Sequence, residues 1–329
     1  MATYKEIHGV KFQYRESDAT AIEGDVWYNS STGKLKMYSA VGAWSTGGNL
    51  NTARQSAGAA NTGTQTAMFY AGGTEPPFSD KNEIYDGSSW TEAGDLNTAR
   101  YYLGGTGTTT AGLVMTGGTS STADTADSEE YNGTSWTEGS NVNTPRRQLC
   151  AAGPQTSAFC AGGYILSPAG MSNASEEYNG TSWTNGGNIN TARTALGGAG
   201  TQTAGMIFGG EAPGRRDETE TYDGSTWTEV GDLNTARYYL AGFGIQTAAL
   251  AAGGNTNTSP VAAVITENYD GSTWAEVADL STARERLHGG GTNQSGVVMG
   301  GYVYSPSEAN TNATEEWSMV ASKETVAFD

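Results

Sequence analysis

"AMFYAGGTEPPFSDKNEIYDGSSWTEAGDLNTAR" occupies residues 67–100, and its reading decides the fold. The apolar run at its start is too brief for a helix and is stopped by Gly72–Gly73, so it reads as a buried inner strand. "EIYDGSSW" reads as strand, turn, strand: Asp86–Gly87 supplies the positive φ of a tight hairpin, and an aromatic residue stands on each side. "GDLNTAR" then leads onward to another Gly-rich segment. With that segment placed before each glycine-pair strand, one unit holds four antiparallel strands.

The unit recurs. Trp44, Trp90, Trp136, Trp183, Trp227 and Trp274 are spaced by 46, 46, 47, 44 and 47 residues. The arginine phrase closes on Arg54, Arg100, Arg146, Arg193, Arg237 and Arg284, as "GNLNTAR", "GDLNTAR", "SNVNTPR", "GNINTAR", "GDLNTAR" and "ADLSTAR". The apolar runs "AMFYAGG", "GLVMTGG", "SAFCAGG", "GMIFGG", "ALAAGG" and "GVVMGG" follow in register. A four-stranded unit repeated six times at about 45 residues calls for an all-β, six-bladed β-propeller. Composition agrees. Gly fills 47 of 329 positions, about twice the usual share of roughly 7%, which suits short strands and tight turns and suits helices poorly.

The order of glycine pair, tyrosine, tryptophan and arginine resembles the Kelch repeat over roughly residues 35–320. In that family Gly-Gly ends the second strand, Tyr sits on the third and Trp on the fourth, and Gly72–Gly73, Tyr85 and Trp90 fill those places in the first unit. The last unit has Gly300, Gly301 and "EEW", with Trp317 in the tyrosine place, then breaks off without a Trp strand. At the other end "GAWSTGG" around Trp44 is a fourth strand without its own first three. Joining the two closes the ring and removes exposed sheet edges, so Trp44 is expected beside the strand of Trp317. The expected divisions are an arm over 1–23, a hairpin over 24–43, the propeller over 44–320 and a tail over 321–329. The hairpin either extends the last blade or stands apart.

Residues repeated in every unit read as scaffold. Each tryptophan buries ~150–250 Å², an upper bound of ~4–6 kcal/mol at ~25 cal/mol/Å²; the competing reading is a platform for stacking sugars. Glu83, Glu129, Glu176, Glu220, Glu267 and Glu315 stand two positions before the tyrosine place, so six arginines and six glutamates point to six equivalent ion pairs. A ring of arginines around one anion is the alternative. In a four-stranded meander the second-to-third loops share one face with the arginine links, and these loops differ in each unit. Phe78, Tyr164, Arg215, Arg216, Tyr302 and Tyr304 on them are the candidate binding residues. Unselected drift of those loops is the competing explanation.

The formal charge of −18 repels phosphate backbones, which argues against nucleic acid and anionic membrane as partners. No secretory signal and no membrane-spanning stretch is visible, so synthesis in a cytoplasm and no membrane insertion are expected. Cys150 and Cys160 flank one hairpin and either face each other or remain buried thiols; no zinc spacing surrounds them. Galactose-oxidase-like propellers need two histidines at one copper, whereas His8 lies in the arm and His288 in the sixth blade. Neither a catalytic set nor a cofactor or metal site is expected.

The opening "MATYKEIHGVKF", then "EGDVWYNSSTGKLKMYSAVGAW" before near-identical units, resembles virion proteins of tailed, notably marine, bacteriophages. That resemblance implies a virion surface or tail-fibre protein released by lysis. The arm would hold other virion proteins, and the propeller would bind a host-surface glycan or protein, with homo-oligomers conceivable. A decoration or adaptor protein is the alternative it leaves open, and an oxidase the third.

Overall fold

A computed structural model describes residues 13–15, 26–256 and 262–325. It divides into two compact units, Met1–Ala43 with Ser318–Asp329, and Trp44–Trp317.

The larger unit is a six-bladed β-propeller of four antiparallel strands per blade, and no helix occurs among the described residues. The first blade comprises Gly58–Ala59, Met68–Ala71, Asn82–Tyr85 and Trp90–Ala93, in that spatial order. Blades two to five repeat it, each with the same register at the outer hairpin. Tyr85 faces Trp90, Tyr131 faces Trp136, Tyr178 faces Trp183, Tyr222 faces Trp227 and Tyr269 faces Trp274. The four-residue connections between them (residues 86–89 and their equivalents) place each glycine, Gly87 and its counterparts, at positive φ, as the sequence leads one to expect of that residue.

The sixth blade joins the chain ends. His288–Gly291 and Ser295–Met299 are followed by the start of Thr314–Thr325, and beside that lies the end of Lys34–Thr46. Trp44 and Trp317 pack with ring centroids 5.3 Å apart, and Gly47 N–H donates to Thr314 O at 2.9 Å. Ring closure is therefore as expected.

The core lies between blades as a series of apolar layers. Leu113 and Met115 of the second blade pack with Cys160, Tyr178 and Trp183 of the third. On the other side of the third blade, Cys150 and Phe159 pack with Ile207, Tyr222 and Trp227 of the fourth. Each outer tryptophan is thus wedged between neighbours. Several also donate their ring N–H to the preceding blade, as Trp90 does to Thr314 Oγ1 and Trp274 to Thr219 Oγ1, both at 3.0 Å.

The cysteines take the second of the two arrangements left open. Cys150 pairs across the hairpin with Ala161, and Cys160 with Ala151, so the two side chains leave opposite faces of the sheet. Both are buried free thiols, and burial raises the pKa of each, Cys160 to about 11. In the second blade the two positive-φ positions that end the inner strand are Thr116 and Gly117, not the pair Gly117–Gly118.

In the smaller unit, Val26–Asn29 pairs antiparallel with the start of Lys34–Thr46 around a turn closed by Gly33 N–H to Asn29 O at 2.8 Å. Gln13–Arg15 lies parallel to residues 27–29. The rest of the 1–23 arm, His8 included, falls outside the described residues.

Candidate functional site

The arginine phrase organises one end of the propeller. All six expected Arg–Glu pairs are present within single blades: Arg54–Glu83 at 2.8 Å, Arg146–Glu176 at 2.7 Å, Arg193–Glu220 at 2.8 Å and Arg284–Glu315 at 2.9 Å, with Arg100–Glu129 and Arg237–Glu267 in contact as well. Every one of these arginines is fully buried. Each glutamate uses its second oxygen to accept the backbone N–H of the residue three before the arginine, as Glu83 does from Asn51 at 2.6 Å and Glu220 from Asn190 at 2.8 Å. Terminal guanidinium N–H groups also reach backbone carbonyls, as Arg54 does at Gly72 and Lys81, while the Nε of each of the six is buried without a hydrogen-bond partner. The carboxylate therefore clamps both ends of "NTAR" and anchors each link onto the blade that follows it. No arginine of this set is available to a ligand.

The signal that sequence reasoning missed lies two residues further on. Ser56, Tyr102, Gln148, Ala195, Tyr239 and Arg286 all take positive φ, from 54° to 57°. Their backbones form a closed hydrogen-bonded circle: each N–H donates to the corresponding carbonyl of the preceding blade, at 2.7–3.1 Å, and Ser56 N–H closes it onto Arg286 O. This conformation turns six side chains towards the propeller axis. Below them the next residues (Leu103, Leu149, Leu196, Leu240 and Leu287) form an apolar collar. The backbone is sixfold, but the side chains are not.

An aromatic belt crosses this mouth. Phe78 stacks on Tyr101 at 4.6 Å, Tyr101 meets Tyr102 at 5.0 Å, Tyr102 stacks across the axis on Tyr239 at 5.8 Å, and Tyr239 meets Tyr238 at 5.0 Å. Arg147 lies 5.1 Å over the Tyr101 ring and Arg286 lies 4.7 Å over Tyr239, each a cation–π contact. Gln148 Nε2 donates to Tyr239 Oη. Burial, the adjacent Tyr102 and its hydrogen bond hold the Tyr239 phenol well above its usual pKa, so it stays protonated. The cavity at the mouth measures about 40 Å³ and the one below the collar about 50 Å³, room for small groups and not for a whole organic ligand.

The six loop candidates fall into four groups. Phe78 joins the belt. Tyr302 and Tyr304 pack edge to face at 5.2 Å beside Arg286, and Tyr304 Oη donates to Glu285 at 3.0 Å. Tyr164 lies in a small hairpin, Tyr164–Leu166 with Ala169–Met171, whose first backbone N–H donates to Arg147 O. Arg215 and Arg216 sit on the fourth blade outside the belt; Arg216 pairs with Glu218 at 3.4 Å, and Arg215 lines a wide, open hollow with Asp217. His288 lies beneath the mouth. Burial lowers its pKa to about 4, so it is neutral near pH 7. Among the described residues no group of three His, Cys, Asp or Glu side chains is arranged to hold a metal ion.

At the opposite end of the axis the first blade departs from the others. Its first strand stops at Ala59, and Asn61 turns inward, where its Nδ2 donates to Gly198 O at 3.2 Å and Gly242 O at 2.6 Å in the fourth and fifth blades. Thr62 Oγ1 donates to Gly107 O at 3.1 Å, in the second blade. One short segment thus ties blades one, two, four and five together across the channel and closes it.

Comparison with known protein families finds no match, and comparison with curated proteins finds no similar sequence. The class of protein rests on the fold: a six-bladed β-propeller with a plugged axis and an aromatic mouth.

Proposed function

We propose that the chain is a non-enzymatic, Kelch-type propeller from the virion surface or tail fibre of a tailed bacteriophage, and that its link-side face binds a glycan of the host envelope. The observation that carries this reading is the belt of Phe78, Tyr101, Tyr102, Tyr239 and Tyr238 across the mouth, on the face that also bears the six unlike loops. Aromatic faces pack against the apolar side of sugar rings, while phenols and guanidinium groups hydrogen-bond hydroxyls. The resemblance of the opening segment to phage virion proteins supports the setting. Weak single contacts gain strength when many copies sit on one particle.

The test is a glycan array and a host-cell binding assay with the full chain. Binding to a defined glycan, reduced tenfold or more by Tyr101→Ala together with Tyr238→Ala at unchanged Tm, is the expected result. Tight binding of the propeller to capsid or tail proteins, with no affinity for cells or glycans, would replace this reading by that of a structural adaptor.

A further inference from the structure

The mouth cavity has a chemistry of its own. Ser56 is 1% exposed, yet its Oγ has no hydrogen-bond partner. Two more buried polar atoms lining the same cavity are equally unpartnered: Arg286 Nε and His288 Nδ1. Arg286 Nε lies 3.2 Å from Glu285 Oε1, within ion-pair range but not aligned as a hydrogen bond. The Nε groups of the six link arginines are unpartnered too, but they are spread one to a blade, whereas these three orphans line one cavity and together suit a polar group. A hydroxyl is the group that suits all three, because it both donates and accepts. At about 40 Å³ the cavity admits one small group and excludes a ring.

Charge narrows the choice. Arg286 is balanced by Glu285, whose side chain is fully buried beside it, and His288 is neutral near pH 7. The mouth therefore carries no uncompensated positive charge, and the chain as a whole carries −18. A carboxylate entering here would compete with Glu285 for Arg286. Tyr102 and Tyr239, which line the same cavity, stack on each other with planes 15° apart and leave their edges and outer faces for a sugar ring to lie against.

We propose that the axial mouth is a subsite for one neutral hexopyranose, whose exocyclic hydroxymethyl group enters the cavity between Ser56, Arg286 and His288 while its ring rests on Tyr102 and Tyr239. This rests on the glycan-binding reading above and specifies its sugar. Ser56→Ala is the apt substitution, because Ala195 occupies the equivalent position of the fourth blade at φ 55°. The fold thus tolerates the methyl group there.

The experiment titrates the full chain with methyl glucoside, methyl galactoside and methyl mannoside, each against its 6-deoxy and 6-carboxylate counterparts, by ligand-observed NMR and calorimetry. At least one neutral hexoside is expected to bind, with tenfold or greater loss on removing or oxidising the 6-hydroxymethyl group. Ser56→Ala and Tyr239→Ala should each weaken that binding at least fivefold, with thermal unfolding of Ser56→Ala unchanged. Equal or tighter binding of the uronate overturns the proposal. So does a soaked crystal in which only water occupies the cavity. If array-positive glycans bind Ser56→Ala and Tyr239→Ala as well as wild type, the axial subsite falls and the glycan reading stands. If no saccharide binds in any format, both fall.

Discussion

The two ends of the propeller axis are built from the same repeat and differ in how the sixfold pattern is broken. At the link end the backbone keeps its symmetry through a closed circle of N–H to C=O bonds, and only the side chains of Ser56, Tyr102, Gln148, Ala195, Tyr239 and Arg286 vary. At the plugged end the backbone itself departs, because Asn61 and Thr62 of one blade turn into the channel. The first device changes surface chemistry without touching the frame. The second alters the frame at one blade and is repaid by cross-axis hydrogen bonds. A repeat protein can therefore vary the side chains at one end while it locks the other.

The largest expected effect tests the frame that both ends share. Arg100→Ala leaves Glu129 buried and unpaired, and should cost about 3–5 kcal/mol in denaturant unfolding. Replacing both partners with apolar residues, Arg100→Met with Glu129→Leu, should recover much of that loss. If Arg100→Ala unfolds at the wild-type midpoint, the clamp is not what holds the links.

Next comes the plug. Asn61→Ala strands the carbonyls of Gly198 and Gly242, and a loss of about 2 kcal/mol is expected, with faster amide exchange confined to the plugged end. Equal acceleration at the mouth would show that the two ends are not independent.

A smaller effect is expected between neighbouring blades. Tyr85 Oη donates to Glu316 Oε1 at 2.6 Å, joining the first blade to the sixth, so Tyr85→Phe should cost about 1 kcal/mol in chemical denaturation.

The smallest effect belongs to the hairpin turns. Asp86, Asp223 and Asp270 are exposed, and backbone and hydroxyl donors of the following Ser and Thr residues lower each pKa to about 2. A carboxylate depressed in the folded state stabilises it above the unfolded value near ~4, and that stability is lost as pH falls towards 2. Carboxyl resonances of these three followed by NMR should titrate near 2. Asn132 and Asn179 fill the same turn position and carry no proton to lose, so their blades give an internal control.

Much of this was legible in the letters. The six arginines and glutamates pair as their spacing requires, and the Tyr and Trp positions face each other in every blade where both occur, because identical local chemistry repeats identical local geometry. The mouth was legible only in principle. Its six residues follow each repeated arginine by two places, but a position with Ser, Tyr, Gln, Ala, Tyr and Arg looks like noise until the backbone circle shows where they meet. The plug also left a trace: Gln155 and Gln202 stand nine positions after Arg146 and Arg193, whereas Gln65 stands eleven positions after Arg54. Those two extra residues are Asn61 and its neighbour, and a count of spacings would have found them.

By itself the sequence determined the blade, the number of blades and the closure, since hydrophobic periodicity, turn chemistry and repeat count are all local or additive properties. Only the tertiary structure decided which variable residues meet at the mouth. Convergence on an axis brings residues from six distant blades within a few ångströms, and no spacing along the chain encodes that distance. The loops that vary most were the natural place to look for recognition. The ring that varies quietly, one residue per blade, is where aromatic, cationic and unpartnered polar groups come together.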